Sequence, residues 1–205
     1  RQWIVVCIDE DMSNKTINRK LSTLKTFFKF LLKVKAIELN PMTKHKSLKL
    51  PKREQDVFST QELEKGSEYY KEDSFPEVRD HLIIELLYAS GMRRQELIDL
   101  KLDHLDFEQK QLKVHGKRNK QRLIPLMPST MDLIRNYLEH RKLLATDSVS
   151  LFLTAKGKPI YPNLVYRTVN SYFKKISSKR KLSPHLLRHA FASHLLEEGA
   201  DISAI

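Results

Sequence analysis

Residues 183–195, Ser-Pro-His-Leu-Leu-Arg-His-Ala-Phe-Ala-Ser-His-Leu, are the stretch that decides the fold. A serine followed by a proline is typical of a helix start, with Ser183 at the N-cap and Pro184 at the first helical position. In such a helix His185 and Arg188 are three residues apart and project from one face. The exposed amides and the positive end of the helix dipole also favour an anion there. The stretch therefore predicts a helix that carries a phosphate-binding pair.

The histidines of this stretch can alternatively be interpreted as metal ligands. His185 and His189 are four residues apart, and His194 follows, so two imidazoles could reach one ion. However, no glutamate follows His185 in the manner of zinc peptidases, and no cysteine or aspartate joins the group. We therefore expect no metal and no cofactor, with His189 and His194 as supporting, hydrogen-bonded structural groups.

The charge of the chain indicates a polyanionic partner. Its formal net charge of +12 favours nucleic acid. Residues 43–53, 113–122 and 148–196 contain no acidic residue at all. One basic run is often only a solvated face, but three such runs favour a surface that contacts a phosphate backbone. The basic residues that we expect to contact DNA are Lys44, Lys46, Lys49, Lys52, Arg53, Arg118, Lys120, Lys179 and Arg180.

The composition excludes several other classes of protein. No apolar run approaches the roughly 20 residues that a membrane span needs, so we expect no membrane partner. No signal peptide is visible, and the single cysteine, Cys7, excludes an internal disulfide and fits a reducing cytoplasm. A chain of 205 residues can hold one full domain and part of another.

Hydrophobic periodicity divides the chain into two helical parts. Ser13 or Asn14 is predicted to cap a long amphipathic helix that continues to Leu32. Residues 43–57 are basic, contain proline and lack periodicity, which is typical of a linker. We therefore predict a partial helical domain at residues 1–42, the linker at 43–57, and a second domain at 58–205.

The second domain is expected to be mainly helical with a small antiparallel β-sheet. Residues 77–89 form a predicted helix that Gly91 ends, and a short helix follows. Residues 111–115 and 122–126 are predicted strands of a basic hairpin. Other predicted features are helices capped by Ser129 and Asn163, a short strand at 151–153, a capped helix start at 59–62, and Gly199 ending the helix that Pro184 begins.

Three motifs of this domain resemble one known family. Residues 183–195 closely resemble the second box of the tyrosine recombinases, the phage integrase and Xer group. Residues 87–97, Leu-Tyr-Ala-Ser-Gly-Met-Arg-Arg-Gln-Glu-Leu, look like the family's first box, and residues 115–126, His-Gly-Lys-Arg-Asn-Lys-Gln-Arg-Leu-Ile-Pro-Leu, are similar to its β-hairpin. The resemblance implies a tyrosine-recombinase catalytic domain, preceded by a partial helical, SAM-like core-binding domain.

The resemblance also implies a role for each matching residue. Arg93 and Arg188 would bind the reacting phosphate, since a guanidinium forms bidentate hydrogen bonds that a lysine does not imitate well. His185 would donate a further hydrogen bond to that phosphate. Lys117 would protonate the departing 5′-oxygen as a general acid, and Glu96 would orient its neighbours without taking part in the chemistry.

The activity that the resemblance implies is site-specific recombination of double-stranded DNA by a homo-oligomer, a tetramer on DNA. The family breaks and rejoins strands by transesterification through a 3′-phosphotyrosyl intermediate, without a metal. Its nucleophilic tyrosine follows the His-x-x-Arg helix, whereas all seven tyrosines of this chain precede that helix. We therefore expect a fragment of a longer cytoplasmic enzyme, of phage, mobile-element or chromosomal origin, that binds DNA but forms no covalent link by itself.

A non-catalytic DNA-binding regulator on the same scaffold is the alternative. A protein that only binds DNA does not need Arg93, Lys117, His185 and Arg188 to converge, so their separation in space would favour this alternative. A topoisomerase of the same chemistry is a further alternative, and it would relax supercoils without recombining DNA.

Overall fold

The computed structural model describes residues 2–50, 70, 73–116, 120–176, 184–199 and 201. The chain divides into two units, Arg1–Gln55 and Asp56–Ile205, each with a hydrophobic core of its own. Within the described ranges, none of the helices combines the length and the apolar character that crossing a bilayer requires.

The first unit contains the helices α1 (Gln2–Asp9) and α2 (Asn14–Lys33). Ser13 caps α2 as predicted, because its side-chain oxygen accepts a hydrogen bond from the backbone N–H of Thr16 at 3.3 Å. This cap satisfies one of the N–H groups that the first turn of a helix leaves without an internal partner. The buried core of the unit is formed by Cys7, Ile17 and Leu21.

The segment that follows α2 is held against that helix by side-chain amides. The Asn18 amide binds both polar groups of the Leu48 backbone: its oxygen accepts from the N–H at 2.8 Å, and its nitrogen donates to the carbonyl at 2.9 Å. Asn14 likewise donates to the Lys49 carbonyl at 3.0 Å. The first part of the predicted linker, up to Lys49, therefore lies along α2.

Helix α3 (Phe75–Ser90) lies at the centre of the second unit. Its predicted apolar side, Leu82, Ile83, Leu86 and Leu87, is buried, and the helix contacts all four later helices that the structure describes in this unit. Its burial on several sides explains why it forms the middle of the core. The later helices are α4 (Arg94–Ile98), α5 (Pro128–Lys142), α6 (Pro162–Ile176) and α7 (Pro184–Glu197), with a 3-10 turn at Leu102–His104.

The predicted hairpin is part of a three-stranded antiparallel sheet with the order β1-β2-β3. The strands are β1 (Leu105–Asp106), which the sequence did not predict, β2 (Gln111–His115) and β3 (Gln121–Pro125). Ile124 is buried opposite Leu112, and Arg122 stands opposite the buried Val114. Since every second residue of a strand shares a face, Arg122 extends from the inner face of the sheet, beside Ile124.

The prediction of a mainly helical protein with a small antiparallel sheet is confirmed, but three local predictions are wrong. Helix α5 is capped by Met127 instead of Ser129, because Pro128 occupies its first position. Helix α6 begins at Pro162, so Asn163 lies inside the helix. Residues 151–153 form no strand and make only an isolated bridge between Leu153 and Pro159. The helix start predicted at 59–62 lies outside the described residues.

Residues 148–153 are held partly by an isolated antiparallel bridge between Ser150 and Lys101 and partly by side chains of α5. The Tyr137 hydroxyl donates to the Leu151 carbonyl at 3.0 Å and accepts from the Leu153 N–H at 3.1 Å. Arg141 donates to the carbonyls of Ser148, at 2.6 Å, and of Ser150, at 2.9 Å. These bonds satisfy backbone groups that a strand would otherwise have to pair.

Candidate active site

The site is built where α3 ends and the chain turns into α4. Gly91 ends α3, as predicted, in a left-handed conformation with φ 56°, which a glycine adopts at little steric cost. A Cβ at this position would overlap the ring of Phe191 on α7. Gly91 therefore permits the turn and the close approach of α7 at the same point.

A buried carboxylate organises this turn. Glu96 is 7% exposed, and its Oε2 accepts a hydrogen bond from the backbone N–H of Arg93 at 2.9 Å. Its Oε1 accepts from Arg93 Nη1, also at 2.9 Å. The same side chain thus closes the first turn of α4 and fixes the Arg93 guanidinium. The Arg93 side chain is nevertheless 56% exposed, so the rest of the guanidinium can reach a ligand.

A second arginine approaches Glu96 from the sheet. Arg122 on β3 donates from Nη2 to Glu96 Oε2 at 2.6 Å. Burial alone would raise the pKa of Glu96, but the hydrogen bonds from Arg122 and Arg93 outweigh burial and lower that pKa to about 2. Glu96 is therefore a carboxylate throughout the neutral range.

A third arginine comes from α7. Arg188 Nη1 donates to the Gly91 carbonyl. Burial, and the nearby charges of Arg93 and Arg122, lower the pKa of Arg188, while Glu96 acts in the opposite direction. A guanidinium stays protonated in proteins. Three positive charges and one negative charge therefore meet here, which leaves an excess of two positive charges.

The three arginines line one cleft of about 580 Å³. Phe191 and Leu195 of α7 give the cleft an apolar wall. Guanidinium groups bind phosphate oxygens through paired hydrogen bonds. The chemistry that this arrangement favours is the binding of a phosphate group and the stabilisation of negative charge on it.

The predicted general acid, Lys117, belongs to the hairpin between β2 and β3, which also carries Arg122. Lys117 and its neighbour Arg118 are outside the described residues, but both ends of their hairpin are described. The Gly116 N–H donates to the Lys120 carbonyl at 2.7 Å. A Cβ on Gly116 would lie 3.7 Å from Glu96 Oε1. The base of the hairpin therefore lies beside Glu96.

The three histidines of α7 differ in their surroundings. The backbone of His185 lies in the first turn of the helix, one turn before Arg188, whereas its side chain is outside the described part of the structure. His189 is exposed. The Nδ1 atom of His194 shares a hydrogen bond of 3.0 Å with the Tyr88 hydroxyl, which connects α7 to α3. Among the residues with described positions, no group of three or more His, Cys, Asp or Glu side chains could hold a metal ion.

The basic residues predicted to contact DNA are exposed where the structure describes them. Lys44, Lys46 and Lys49 are exposed in the first unit, and Lys120 is exposed in the second. Exposure is the first requirement for contact with a phosphate backbone. The remaining residues of the set lie, like Arg118, outside the described ranges: Lys52, Arg53, Lys179 and Arg180.

The sequence prediction omitted Arg122 from the site and recognised it only within the basic run 113–122. Nothing in a linear motif separates this arginine from the exposed basic residues of the hairpin. The useful signal is the strand register, because Arg122 is two residues before Ile124 and so shares its inward face.

Comparisons with known proteins agree with this architecture. The model of the "Phage integrase family" matches residues 57–205, and that of the "Phage integrase, N-terminal SAM-like domain" matches residues 1–35. The chain is 38% identical over 211 residues to tyrosine recombinase XerC of Thermodesulfovibrio yellowstonii, covering 100% of this chain and 70% of the relative. It is 34% identical over 212 residues to tyrosine recombinase XerD of Staphylococcus aureus, covering 100% of this chain and 72% of the relative.

Solved structures share the fold. The Tn1549 transposon integrase in complex with transposon right end DNA has a TM-score of 0.79 at 22% identity, covering 99% of this chain and 73% of that chain. The XerH site-specific recombinase bound to difH substrate has a TM-score of 0.65 at 26% identity, covering 78% of this chain and 47% of that chain.

Proposed function

This chain belongs to the phage integrase family of tyrosine recombinases, enzymes that exchange DNA strands, and we propose that it holds the reacting phosphate of duplex DNA between Arg93 and Arg188. The observation that carries the proposal is that both guanidiniums line one cleft beside the ionised Glu96. DNA as the partner is supported by the two solved structures, XerH and the Tn1549 integrase, which are complexes with DNA.

The arrangement of the arginines suits transesterification at a phosphodiester. Negative charge is spread over the phosphate oxygens in the transition state, so fixed positive charges do most of the work. Arg93 is fixed by Glu96, and Arg188 is fixed by the Gly91 carbonyl. Because both guanidiniums are oriented before DNA arrives, their side chains lose little conformational entropy when the phosphate binds.

Two further residues complete the proposed chemistry. His185, one helical turn before Arg188, donates a hydrogen bond to the same phosphate. Lys117, the residue after Gly116, protonates the departing 5′-oxygen as a general acid. Glu96 orients Arg93 without exchanging a proton, in agreement with its low pKa of about 2. His189 on α7 is proposed as a supporting residue that takes no part in the chemistry.

None of the seven tyrosines of this chain is proposed as the nucleophile that would form a 3′-phosphotyrosyl link. Tyr137 is fully buried, and burial raises its pKa to about 12. Burial also raises the pKa of Tyr172, and Tyr88 is hydrogen-bonded to His194. A raised pKa opposes the loss of the phenolic proton that accompanies attack. These three tyrosines are therefore poorly suited to attack, and we propose that the polypeptide binds DNA without forming a covalent link.

The wider role follows from the same family membership. The basic residues outside the cleft contact phosphates along the duplex and fix its position without reading its sequence. The protein acts in the cytoplasm as a homo-oligomer, a tetramer on DNA, in chromosome-dimer resolution or in the integration of a mobile element. Strand exchange itself is supported by relatives that are named tyrosine recombinases.

The salt dependence of DNA affinity tests this proposal. The logarithm of the binding constant falls with that of salt concentration by about 0.9 for each neutralised phosphate. Arg93→Gln and Arg188→Gln should therefore each weaken binding and flatten this slope by about one. Arg135→Gln is the control, since Arg135 is exposed on α5, pairs with Asp132 and loses the same charge. Equal effects of all three variants would contradict the proposed site.

The proposal that none of the seven tyrosines acts as the nucleophile is tested separately. The polypeptide is incubated with a nicked suicide duplex, from which a cleaved strand cannot be rejoined, and then denatured. We expect no protein–DNA adduct on a denaturing gel. A stable adduct would contradict the proposal, and mapping the modified tyrosine would identify the nucleophile.

A further inference from the structure

Glu96 has two opposing effects on a phosphate site. It fixes the Arg93 guanidinium at 2.9 Å, which favours a preorganised contact. Its negative charge, however, lies in the same cluster and repels an anion. If only Arg93, Arg188 and Glu96 were present, two positive charges and one negative charge would leave a single positive charge. The site therefore needs Glu96 to orient Arg93, and it needs a further positive charge to balance the Glu96 carboxylate.

We propose that Arg122 is a positioning residue for strand exchange: it holds Glu96 in place as a carboxylate and offsets its charge, so that Arg93 and Arg188 present two positive charges to the phosphate. This inference rests on the proposed function of the cleft. The contact that carries it is the hydrogen bond of 2.6 Å from Arg122 Nη2 to Glu96 Oε2. The role is therefore distinct from that of Arg93 and Arg188, which contact the phosphate themselves.

The position of Arg122 is fixed by the sheet. Arg122 on β3 stands opposite the buried Val114 on β2, and the two strands remain paired on both sides of this position. A Cβ on Gly116 would lie 3.6 Å from Arg122 Nη1, so the hairpin base packs closely over the guanidinium. A side chain anchored on a paired strand and covered in this way keeps its orientation better than one on a loop.

The ionisation of Glu96 depends on Arg122 for a physical reason. In the described part of the structure, the charged groups that face Glu96 are Arg93 from the turn before α4, Arg122 from β3 and Arg188 from α7. Burial raises the pKa of Glu96, and the hydrogen bond from Arg122 is foremost among the interactions that lower it. Loss of the Arg122 charge should therefore let the pKa of Glu96 rise.

A carboxyl titration tests the first half of the proposal on this polypeptide alone. The side-chain carboxyl carbon of Glu96 is followed by NMR as the pH is lowered. We expect a midpoint near 2 for the unaltered chain and a rise toward the ordinary value of 4.5 in Arg122→Gln. Arg122→Lys, which keeps the charge with poorer hydrogen-bond geometry, should show a smaller rise. Arg135→Gln should leave the midpoint unchanged.

An unchanged midpoint in Arg122→Gln would overturn the proposal. Should that variant fail to fold, as judged by circular dichroism, Arg122→Lys decides the question: a partial rise supports the role, and no rise overturns it. Neither result depends on DNA, so the titration remains decisive even if the proposed function of the cleft fails.

A double-mutant cycle on DNA affinity tests the second half. If Arg122 acts through Glu96 and Arg93, the variant Arg93→Gln/Arg122→Gln should lose clearly less affinity than the product of the two single losses. The loss caused by Arg122→Gln should also depend on pH, because Glu96 takes up a proton at a higher pH in this variant than in the unaltered chain. If the double variant instead loses the full product of the two single losses, and if the effect of Arg122→Gln does not depend on pH, then Arg122 contacts the phosphate by itself. That result would overturn the positioning role. Equal affinity of the unaltered chain and Arg93→Gln would instead count against the proposed function.

Discussion

Replacement of Gly91 by alanine tests how α7 is held over the site. Gly91 has φ 56°, a left-handed conformation that costs a residue with a Cβ about 1–2 kcal/mol. The added Cβ would also overlap the Phe191 ring, and overpacking of a close-packed interior costs about 1–3 kcal/mol. We therefore expect Gly91→Ala to lower the free energy of unfolding by about 2–5 kcal/mol, the sum of these two costs.

Gly199 provides a matched control for this prediction. It has φ 90°, and nothing lies within 4 Å of a Cβ built on it, so Gly199→Ala incurs only the backbone cost. Urea unfolding followed by circular dichroism gives both free energies. Gly91→Ala should lose more than Gly199→Ala, and adding Phe191→Leu should recover part of the difference. Equal losses for the two alanine variants would refute the argument that Phe191 requires a glycine at this point.

Two other substitutions test the site and its scaffold. Glu96 has a pKa lowered to about 2, below its ordinary value of 4.5, so its stabilising contribution is complete above pH 4.5 and is lost as the pH falls toward 2. The difference in free energy of unfolding between the unaltered chain and Glu96→Gln should therefore shrink across that range in urea titrations, and a constant difference would contradict the assigned ion pairs. Tyr137→Phe leaves the Leu151 carbonyl and the Leu153 N–H without their hydroxyl partner. It should cost about 1–3 kcal/mol in the same assay, and a loss below about 0.5 kcal/mol would show that these bonds contribute little.

The features of the fold that could be predicted from the sequence depend on local chemistry. Ser13 begins α2 and Gly91 ends α3 because each residue type favours its backbone conformation whatever the rest of the chain does. The caps predicted at Ser129 and Asn163 were wrong because the proline before each already fits the first helical turn. Strand β1 could not be predicted, because two residues carry too little periodicity and depend on pairing with β2.

The residues of the candidate site also fall into two groups: those that a local motif predicts and those that depend on the packing of distant elements. Arg93 and Glu96 are three residues apart in one motif, so their contact follows from a short helix start. Arg188 lies far along the chain and meets them only because α7 packs on the end of α3. Arg122 depends on strand register, which a one-residue shift would reverse by turning its side chain to the opposite face. Motif resemblance therefore predicted residues within the boxes and missed the arginine that the sheet supplies.

Arg93 and Arg188 are proposed to bind one phosphate of duplex DNA. The most direct measurement follows the side-chain Nε–H signals of both arginines by NMR while a short duplex is added to the isotope-labelled chain. If both contact the same phosphate, the two signals should shift together with one common dissociation constant, while the Arg135 signal stays in place. Different dissociation constants for Arg93 and Arg188, or shifts no larger than that of Arg135, would contradict the claim.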